Sequence, residues 1–175
     1  MTLKVVLKQW YLNTMIKIPV ICIDIEASGL GPGSYPIEIA WKCGLTGDSD
    51  SFLINPETGY NWTDWDLEAE DLHHIAIQEL LAEGVSVKEA CKRLNTRLQG
   101  KTLISDAVDF DYFWIRRLYE SARMNPSFEV RGIDKVLEGG QLIQYRLVAN
   151  AQVRNHRAMD DVNDLLTCLA ACDIS

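Results

Sequence analysis

The fold is decided by residues 18–26, which read Ile-Pro-Val-Ile-Cys-Ile-Asp-Ile-Glu. A dense run of β-branched residues is typical of a strand that is buried on both faces. Its acidic residues, Asp24 and Glu26, stand two positions apart, so the period of a strand points both side chains to the same face. The sequence therefore predicts a central strand with a pair of carboxylates near its carboxyl end.

This carboxylate pair has two interpretations. Two carboxylates at the end of a buried strand repel each other, and burying them without a cation is costly. Hard oxygen ligands of this kind select Mg²⁺ or Mn²⁺. The alternative is an exposed or salt-bridged pair, because an Asp and a Glu separated by one residue are common in proteins. The apolar run before Asp24 and Glu26 favours the metal.

Further strands follow from short apolar runs bounded by turn residues. Three strands in close succession predict an antiparallel meander, and two later ones alternate with helices. The predicted strands are residues 18–26, 37–43, 51–54, 101–105 and 128–133.

Helices are predicted where apolar residues recur with helical spacing and where capping residues precede them. Together with the strands they predict an α/β fold in which a mixed five-stranded sheet is flanked by helices. The predicted helices are residues 76–83, 87–98, 112–123, 141–153 and 158–172.

The length of 175 residues, with 47% hydrophobic and 24% charged residues, fits one compact domain. We expect this domain to span residues 18–175 and residues 1–17 to be an extension or arm. Met15, just before the first strand, is an alternative start of the chain. The sequence has neither a bilayer-length apolar stretch nor a signal-peptide core, so we expect a cytoplasmic protein without a membrane partner.

The formal net charge of −8 argues against a protein that coats long nucleic acid by charge neutralisation. It is compatible with an enzyme that holds one end of a strand, because carboxylates that bind cations also count as acidic excess. The five cysteines form no zinc-ligand pattern, and we interpret them as small apolar residues in a reducing compartment.

A second acidic cluster lies where the fourth predicted strand gives way to a helix. It contains Asp106, Asp109 and Asp111. A carboxylate in the first turn of a helix is stabilised by the helix dipole, so simple capping is the alternative to a chemical role. Any of these three residues could provide the cap.

A third cluster, His156 and Asp161, opens the last predicted helix. A histidine near carboxylates is suited to proton abstraction near neutral pH. A local hydrogen bond at the helix start is the alternative function for His156.

The order of these three clusters resembles that of the DEDDh 3′→5′ exonucleases of the ribonuclease H-like superfamily, among them oligoribonuclease, ribonuclease T and proofreading exonucleases. The resemblance covers about residues 20–172. Its motifs are residues 23–30, Phe110-Asp111 with Trp114-Ile115, and His156 with Asp161. Where the family usually has Asp-x-Glu-Thr-Gly, this chain has Ala27-Ser28-Gly29 after the Glu. Asp106 or Ser105 stands near the usual Asn, which leaves Asp109 open as an alternative to Asp111.

The resemblance implies that two Mg²⁺ or Mn²⁺ ions are bound by four carboxylates and that His156 is the general base. The activity would release nucleoside 5′-monophosphates from the 3′ ends of single-stranded RNA or DNA. Likeness to the small ribonucleases favours RNA, and likeness to dimeric relatives favours a homodimer. The implied metal ligands are Asp24, Glu26, Asp111 and Asp161.

Candidates for gripping the strand are two tryptophans in a polar stretch, the small residues after the first motif, and arginines beside His156. Exposed tryptophan rings could stack on a base, or they could anchor a loop to the core. The arginines could contact phosphates or be solvated surface charges. These candidates are Trp62, Trp65, Ala27, Ser28, Arg154 and Arg157.

Two other functions fit the same residues. One is an endonuclease with similar metal chemistry, which the pairing of His156 with Asp161 disfavours through the family resemblance. The other is an inactive exonuclease-like module that binds ends or another protein. Glu38, on the second predicted strand, could point into the same site or be a paired carboxylate at the edge of the core.

Overall fold

The computed structural model describes residues 18–172. A five-stranded mixed sheet is confirmed, with the order β3-β2-β1-β4-β5. The first three strands pair antiparallel, whereas β1 pairs parallel with β4 and β4 with β5. The strands are β1 (Ile21–Ala27), β2 (Pro36–Cys43), β3 (Ser49–Leu53), β4 (Thr102–Ser105) and β5 (Glu129–Gly132).

Six α-helices are described within this range. They cover both faces of the sheet, and short 3₁₀ turns follow β3 and β5. The helices are α1 (Leu67–His73), α2 (Ile77–Glu83), α3 (Val87–Leu98), α4 (Val108–Ala122), α5 (Gly140–Ala149) and α6 (Ala158–Ala170).

The alternation of side chains along β1 separates two hydrophobic cores. Ile23 and Ile25 point into the larger core, which also contains residues of α3 and α4. Cys22 points to the other face, where Val162 and Leu166 of α6 close the smaller core. Burial of apolar area on both faces is the main force that holds these helices to the sheet. Because Asp24 and Glu26 share the face of Cys22, their side chains lie on the α6 side of the sheet.

One helix was not predicted, and two helix boundaries were wrong. Residues 67–73, for which no helix was predicted, form α1, which begins where the Asp66 side chain accepts from the Glu68 N–H at 2.9 Å. Helix α4 begins at Val108, four residues before the predicted start. Helix α5 ends at Ala149 instead of residue 153.

The predicted extension, residues 1–17 with Met15, lies outside the described residues. No helix within residues 18–172 combines the length and the apolar character that crossing a membrane requires. Four of the five cysteines are buried.

Candidate active site

Asp24 and Glu26 enter the site from the middle of the sheet. β1 lies between β2 and β4, and Asp24 is paired with Ala40 of β2. Asp24 is only 8% exposed, and Glu26 is half-buried. Burial raises the pKa of Asp24 well above its usual range, and the nearby charges of Asp111 and Glu26 raise it further. This carboxylate therefore lies in a place that favours a bound cation or a proton.

Glu26 has a similar environment with a weaker effect. Burial raises its pKa to about 7, and the charges of Asp161 and Glu38 add to this rise. Arg157 and Arg154 oppose it. The pKa values of Asp24 and Glu26 are thus raised by carboxylates from three other elements. Asp24 and Glu26 therefore belong to one electrostatic cluster.

Asp111 enters the cluster from the first turn of α4. It is 1% exposed, and the hydroxyl of Ser105, at the end of β4, donates a hydrogen bond to its Oδ2. Burial raises the pKa of Asp111 to about 8, although the bond from Ser105 lowers it. Asp109 is exposed, so the geometry favours Asp111 over Asp109 as a member of the site.

The capping alternative for Asp106 and Asp109 was wrong. The N-cap position of α4 is Ala107, and no described side chain caps this helix. Asp106 instead accepts from the hydroxyl of Tyr145 at 3.2 Å and from the guanidinium of Arg154. The sequence places these partners 39 and 48 residues away, so no local pattern indicated the contacts.

His156 and Asp161 enter from the segment that leads into α6. The backbone of His156 has a φ of 50°, in the left-handed region, and α6 begins two residues later. Asp161 is 7% exposed. Burial raises its pKa to about 6, while the charges of Arg154 and His156 lower it. Arg154 lies 4.0 Å from Asp161 Oδ2, so this arginine partly balances the cluster.

The residues from the two ends of the chain meet on the α6 side of the sheet. Glu26, His156 and Asp161 each offer a ligand atom, and these three atoms lie within 4.8 Å of one another. Asp24 and Asp111 are not among these three residues, but the charges of Glu26 and Asp161 raise the pKa of Asp24, and the charge of Glu26 raises the pKa of Asp111. The fold thus collects four carboxylates and one imidazole that the sequence spreads over more than 130 residues.

The side chains of this cluster fit a divalent cation for two reasons: the type of their ligand atoms, and one buried oxygen atom that lacks a hydrogen bond. Carboxylate oxygens and imidazole nitrogens are ligands of Mg²⁺ and Mn²⁺ or close neighbours of them in enzymes. Asp161 Oδ1 is buried and has no hydrogen-bond partner among the described residues. Buried polar atoms are nearly always satisfied, so an orphaned carboxylate oxygen in an acidic cluster indicates a place for a cation.

The arginines beside His156 form ion pairs with the protein. Arg157 donates from Nε and Nη2 to the two carboxylate oxygens of Glu38, at 3.1 and 2.9 Å. Arg154 is paired with Asp106. The side chains of both arginines remain about 40% exposed, but their hydrogen-bonding edges are directed at carboxylates. If Arg157 contacts a phosphate as predicted, it does so while its guanidinium is also bound to Glu38.

The Trp62 ring does not fit the stacking prediction. Its ring lies parallel to that of Tyr35, with centroids 5.0 Å apart, and the residue is 7% exposed. The alternative of anchoring a loop to the core describes Trp62 correctly. Trp65 is half-buried, donates to Glu70 at 2.7 Å and packs against the larger core.

Ala27 and Ser28 are also buried. The Ser28 hydroxyl accepts from the Tyr35 N–H at 3.1 Å and so closes the turn after β1. These side chains hold the turn, and any contact with substrate would have to come from its backbone. This contact was not predictable from local pattern, because Gly31-Pro32-Gly33 lies between Ser28 and Tyr35.

Solved structures with the same fold include several of E. coli exonuclease I. The zinc-bound complex with single-stranded DNA has a TM-score of 0.65 and 16% sequence identity, covering 85% of this chain and 38% of that chain. The complex with a dT13 oligonucleotide has a TM-score of 0.65 at 16% identity, with coverages of 85% and 39%. The apo form has a TM-score of 0.64 at 14% identity, with coverages of 85% and 40%.

Neither a protein family nor a curated protein matches the sequence. The present chain spans about two fifths of the length of the exonuclease I structures. At this level of identity the likeness establishes the fold, and the expected ribonuclease H-like architecture is confirmed. Over 85% of its length, the chain has the fold of a part of E. coli exonuclease I that makes up 38% of that chain.

Proposed function

We propose that this protein is a metal-dependent 3′→5′ exonuclease that acts on single-stranded nucleic-acid ends. One observation carries the proposal: Glu26, His156 and Asp161 present their ligand atoms within 4.8 Å of one another. The buried carboxylates Asp24 and Asp111 lie in the same electrostatic cluster. A stable fold has little reason to bury this much like charge unless a cation binds there.

In this proposal the four carboxylates hold Mg²⁺ or Mn²⁺, two ions per site. When bound, such ions stabilise the negative charge that develops on the attacking and leaving oxygens. The raised pKa values of Glu26 and Asp111 would fall on metal binding, because a nearby positive charge favours the ionised form. The ligands would be Asp24, Glu26, Asp111 and Asp161.

His156 would act as the general base. Water attacks the phosphorus of the terminal phosphodiester, an imidazole nitrogen of His156 accepts one proton of the water, and the P–O3′ bond breaks, after which the 3′-oxygen takes up a proton from solvent. The products are a nucleoside 5′-monophosphate and a strand shorter by one nucleotide. His156 is half-buried and borders Asp161, so it can reach both the solvent and the carboxylate cluster.

The substrate class is also part of the proposal. A protein with a net charge of −8 is repelled by the phosphates of a long duplex, so binding to a single-stranded end is favoured. The exonuclease I structures hold single-stranded DNA, whereas the prediction from sequence leans towards RNA. The homodimer and the cytoplasmic location remain predictions.

The decisive experiment incubates the purified protein and Mn²⁺ with end-labelled RNA and DNA oligonucleotides, single- and double-stranded. We expect 5′-labelled single strands to shorten one nucleotide at a time and 3′-labelled strands to release labelled mononucleotide at once. Internal fragments would indicate an endonuclease. Binding without cleavage of any substrate would favour the inactive end-binding module.

A further inference from the structure

The segment that carries His156 is tied to the sheet by one buried carboxylate. Glu38 lies on β2, directly opposite Glu26 of β1 in the antiparallel register, and is 4% exposed. Its Oε2 accepts from Arg157 Nε at 3.1 Å and from the Ala158 N–H at 2.9 Å, while Oε1 accepts from Arg157 Nη2 at 2.9 Å. A residue of the sheet thus holds both residues that follow His156.

These contacts replace a missing helix cap. Arg157 occupies the N-cap position of α6 but makes no capping hydrogen bond with its own side chain. The first N–H groups of a helix need acceptors, and a negative charge is favoured at this end. Glu38 of β2 supplies both the acceptor and the negative charge. A residue of the sheet, and not the N-cap residue Arg157, therefore caps the start of α6.

The backbone next to this anchor is strained. His156 has a φ of 50°, which side-chain-bearing residues seldom adopt. Such a conformation persists only where the surrounding structure enforces it. The anchor begins at the following residue, Arg157, and Asp161 lies one helical turn beyond it. Both His156 and Asp161 therefore depend on where Glu38 fixes the chain.

We infer that Glu38 is a positioning residue, which places His156 and Asp161 against Glu26 by binding Arg157 and capping α6. The inference rests on the function proposed above. Stability alone is a weak reason for such a pair, because buried ion pairs often contribute little net stabilisation. A second carboxylate opposite Glu26 also adds to the repulsion within the site, as the effect of Glu38 on Glu26 indicates.

A matched control exists on β3, the edge strand next to β2. Asp50 of β3 binds Arg93 of α3 through two hydrogen bonds of 2.6 and 2.5 Å. This pair has the same two-pronged geometry but takes no part in the candidate site. Glu38→Gln and Asp50→Asn each remove one negative charge from such a pair while keeping an acceptor oxygen.

The test compares Glu38→Gln with Asp50→Asn and the unchanged protein. We expect kcat on a single-stranded oligonucleotide to fall about 10–100-fold for Glu38→Gln, since small misplacements of catalytic groups have effects of this size. KM should change by less than about threefold, because the lost interaction serves the transition state. Asp50→Asn should keep the kcat and KM of the unchanged protein.

The NMR spectrum of the three histidine rings distinguishes positioning from stabilisation, because it would not change if Glu38 only stabilised the fold. The His156 resonances should shift or broaden in Glu38→Gln and stay in place in Asp50→Asn, with exposed His74 as the internal reference. If Glu38→Gln does not fold, Arg157→Lys takes its place, because lysine keeps the charge but loses the two-pronged geometry.

Unchanged His156 resonances in a folded Glu38→Gln or Arg157→Lys protein would overturn the inference, whatever happens to kcat. Shifted resonances with unchanged kcat would overturn it as well, since the displacement would then not matter for the reaction. If the unchanged protein cleaves no nucleic acid, the proposed function fails, while the His156 spectrum still decides whether Glu38 positions the segment.

Discussion

The candidate site has a strand half, Asp24 and Glu26, and a helix half, His156 and Asp161, and the two are held in different ways. The backbone ladder of the central sheet fixes the strand half, and the period of a strand decides where its side chains point. The helix half follows a non-helical segment that is tied down by side chains, through Glu38 at one end and Asp106 at the other.

The two halves also differ in how the charges of their carboxylates are balanced. No described cation pairs with Asp24, whose pKa is raised by burial and by the charges of four neighbouring carboxylates. Asp161 has Arg154 and His156 nearby, and both lower its pKa. The backbone therefore fixes the strand half, but the repulsion between its carboxylates is not offset by a cation. In the helix half nearby cations offset the charge of Asp161, but its position depends on contacts with residues distant in sequence. Substitutions should expose this difference.

The largest effect is expected from Asp24→Asn in the strand half. Cleavage should fall by more than about 10³-fold, because a lost metal ligand removes several kcal/mol of charge stabilisation. The free energy of unfolding of the metal-free protein should rise, because a buried charge surrounded by like charges is removed. Thermal melting without metal and a single-turnover cleavage assay measure the two changes.

Asp48→Asn is the control for Asp24→Asn, since Asp48 is exposed in the turn between β2 and β3. It should leave both measurements unchanged. Cleavage by Asp24→Asn at the rate of the unchanged protein would exclude Asp24 from the chemistry and break the comparison between the two halves.

The next effect is expected from His156→Asn in the helix half. Loss of a general base typically costs about 10²–10⁴-fold in rate, and asparagine tolerates the left-handed backbone of this position. The melting temperature should change little, in contrast to Asp24→Asn. His74→Asn is the control, because His74 also has a positive φ, of 55°, and is exposed at the end of α1. Equal rates for the two variants would remove His156 from the mechanism.

The strand half was predictable from sequence for a physical reason. The β-branched run before Asp24 can only be buried in a central strand, and a two-residue spacing has one geometric outcome. The prediction of β1 was correct apart from its ends. The same reasoning places Glu38 on the face of Glu26, but it cannot tell whether Glu38 points at a metal or at an arginine 119 residues away.

The helix half was less predictable, because long-range contacts override local pattern there. Residues 150–153 continue an apolar helical pattern, yet α5 ends at Ala149 and the chain turns towards Asp106 and Glu38. The start of α4 was placed too late because the acidic residues near it resemble caps, whereas the helix begins at Val108 after an N-cap residue, Ala107, that makes no capping hydrogen bond with its side chain. Trp62 resembled an exposed ring because its partner, Tyr35, is distant in sequence.

Metal binding should produce a moderate effect that involves both halves. A ligand that binds only the native state stabilises it by about 2.7 kcal/mol at one hundred times its Kd. For a chain of this length this corresponds to a rise in melting temperature of roughly 5–10 °C with Mn²⁺ or Mg²⁺. Both Asp24→Asn and Asp161→Asn should reduce the rise, whereas Asp48→Asn should not. A melting curve that does not move up to millimolar metal would count against the metal site.

The smallest expected effect is the pH dependence of the metal-free protein, and it comes from the strand half together with Asp111 of α4. The pKa values of Glu26 and Asp111 are raised to about 7 and about 8 in the folded chain, and that of Asp24 is raised too. In the unfolded chain carboxyl groups titrate near pH 4. The folded protein therefore binds more protons than the unfolded one between about pH 4 and pH 8, and its stability falls as the pH rises through this window.

We expect the melting temperature of the metal-free protein to drop by at least about 2–4 °C per pH unit between pH 6 and pH 8, because each carboxyl group that is protonated only in the folded state contributes a loss of roughly 1 kcal/mol per unit. Asp24→Asn should flatten this slope, because one member of the cluster no longer titrates and the others are repelled less. Saturating Mn²⁺ should flatten it in the unchanged protein, since a bound cation returns the carboxyl pKa values to below the window. A slope that is the same with and without Asp24 and Mn²⁺ would mean that the titrating groups lie elsewhere, and the electrostatic contrast between the two halves would be wrong.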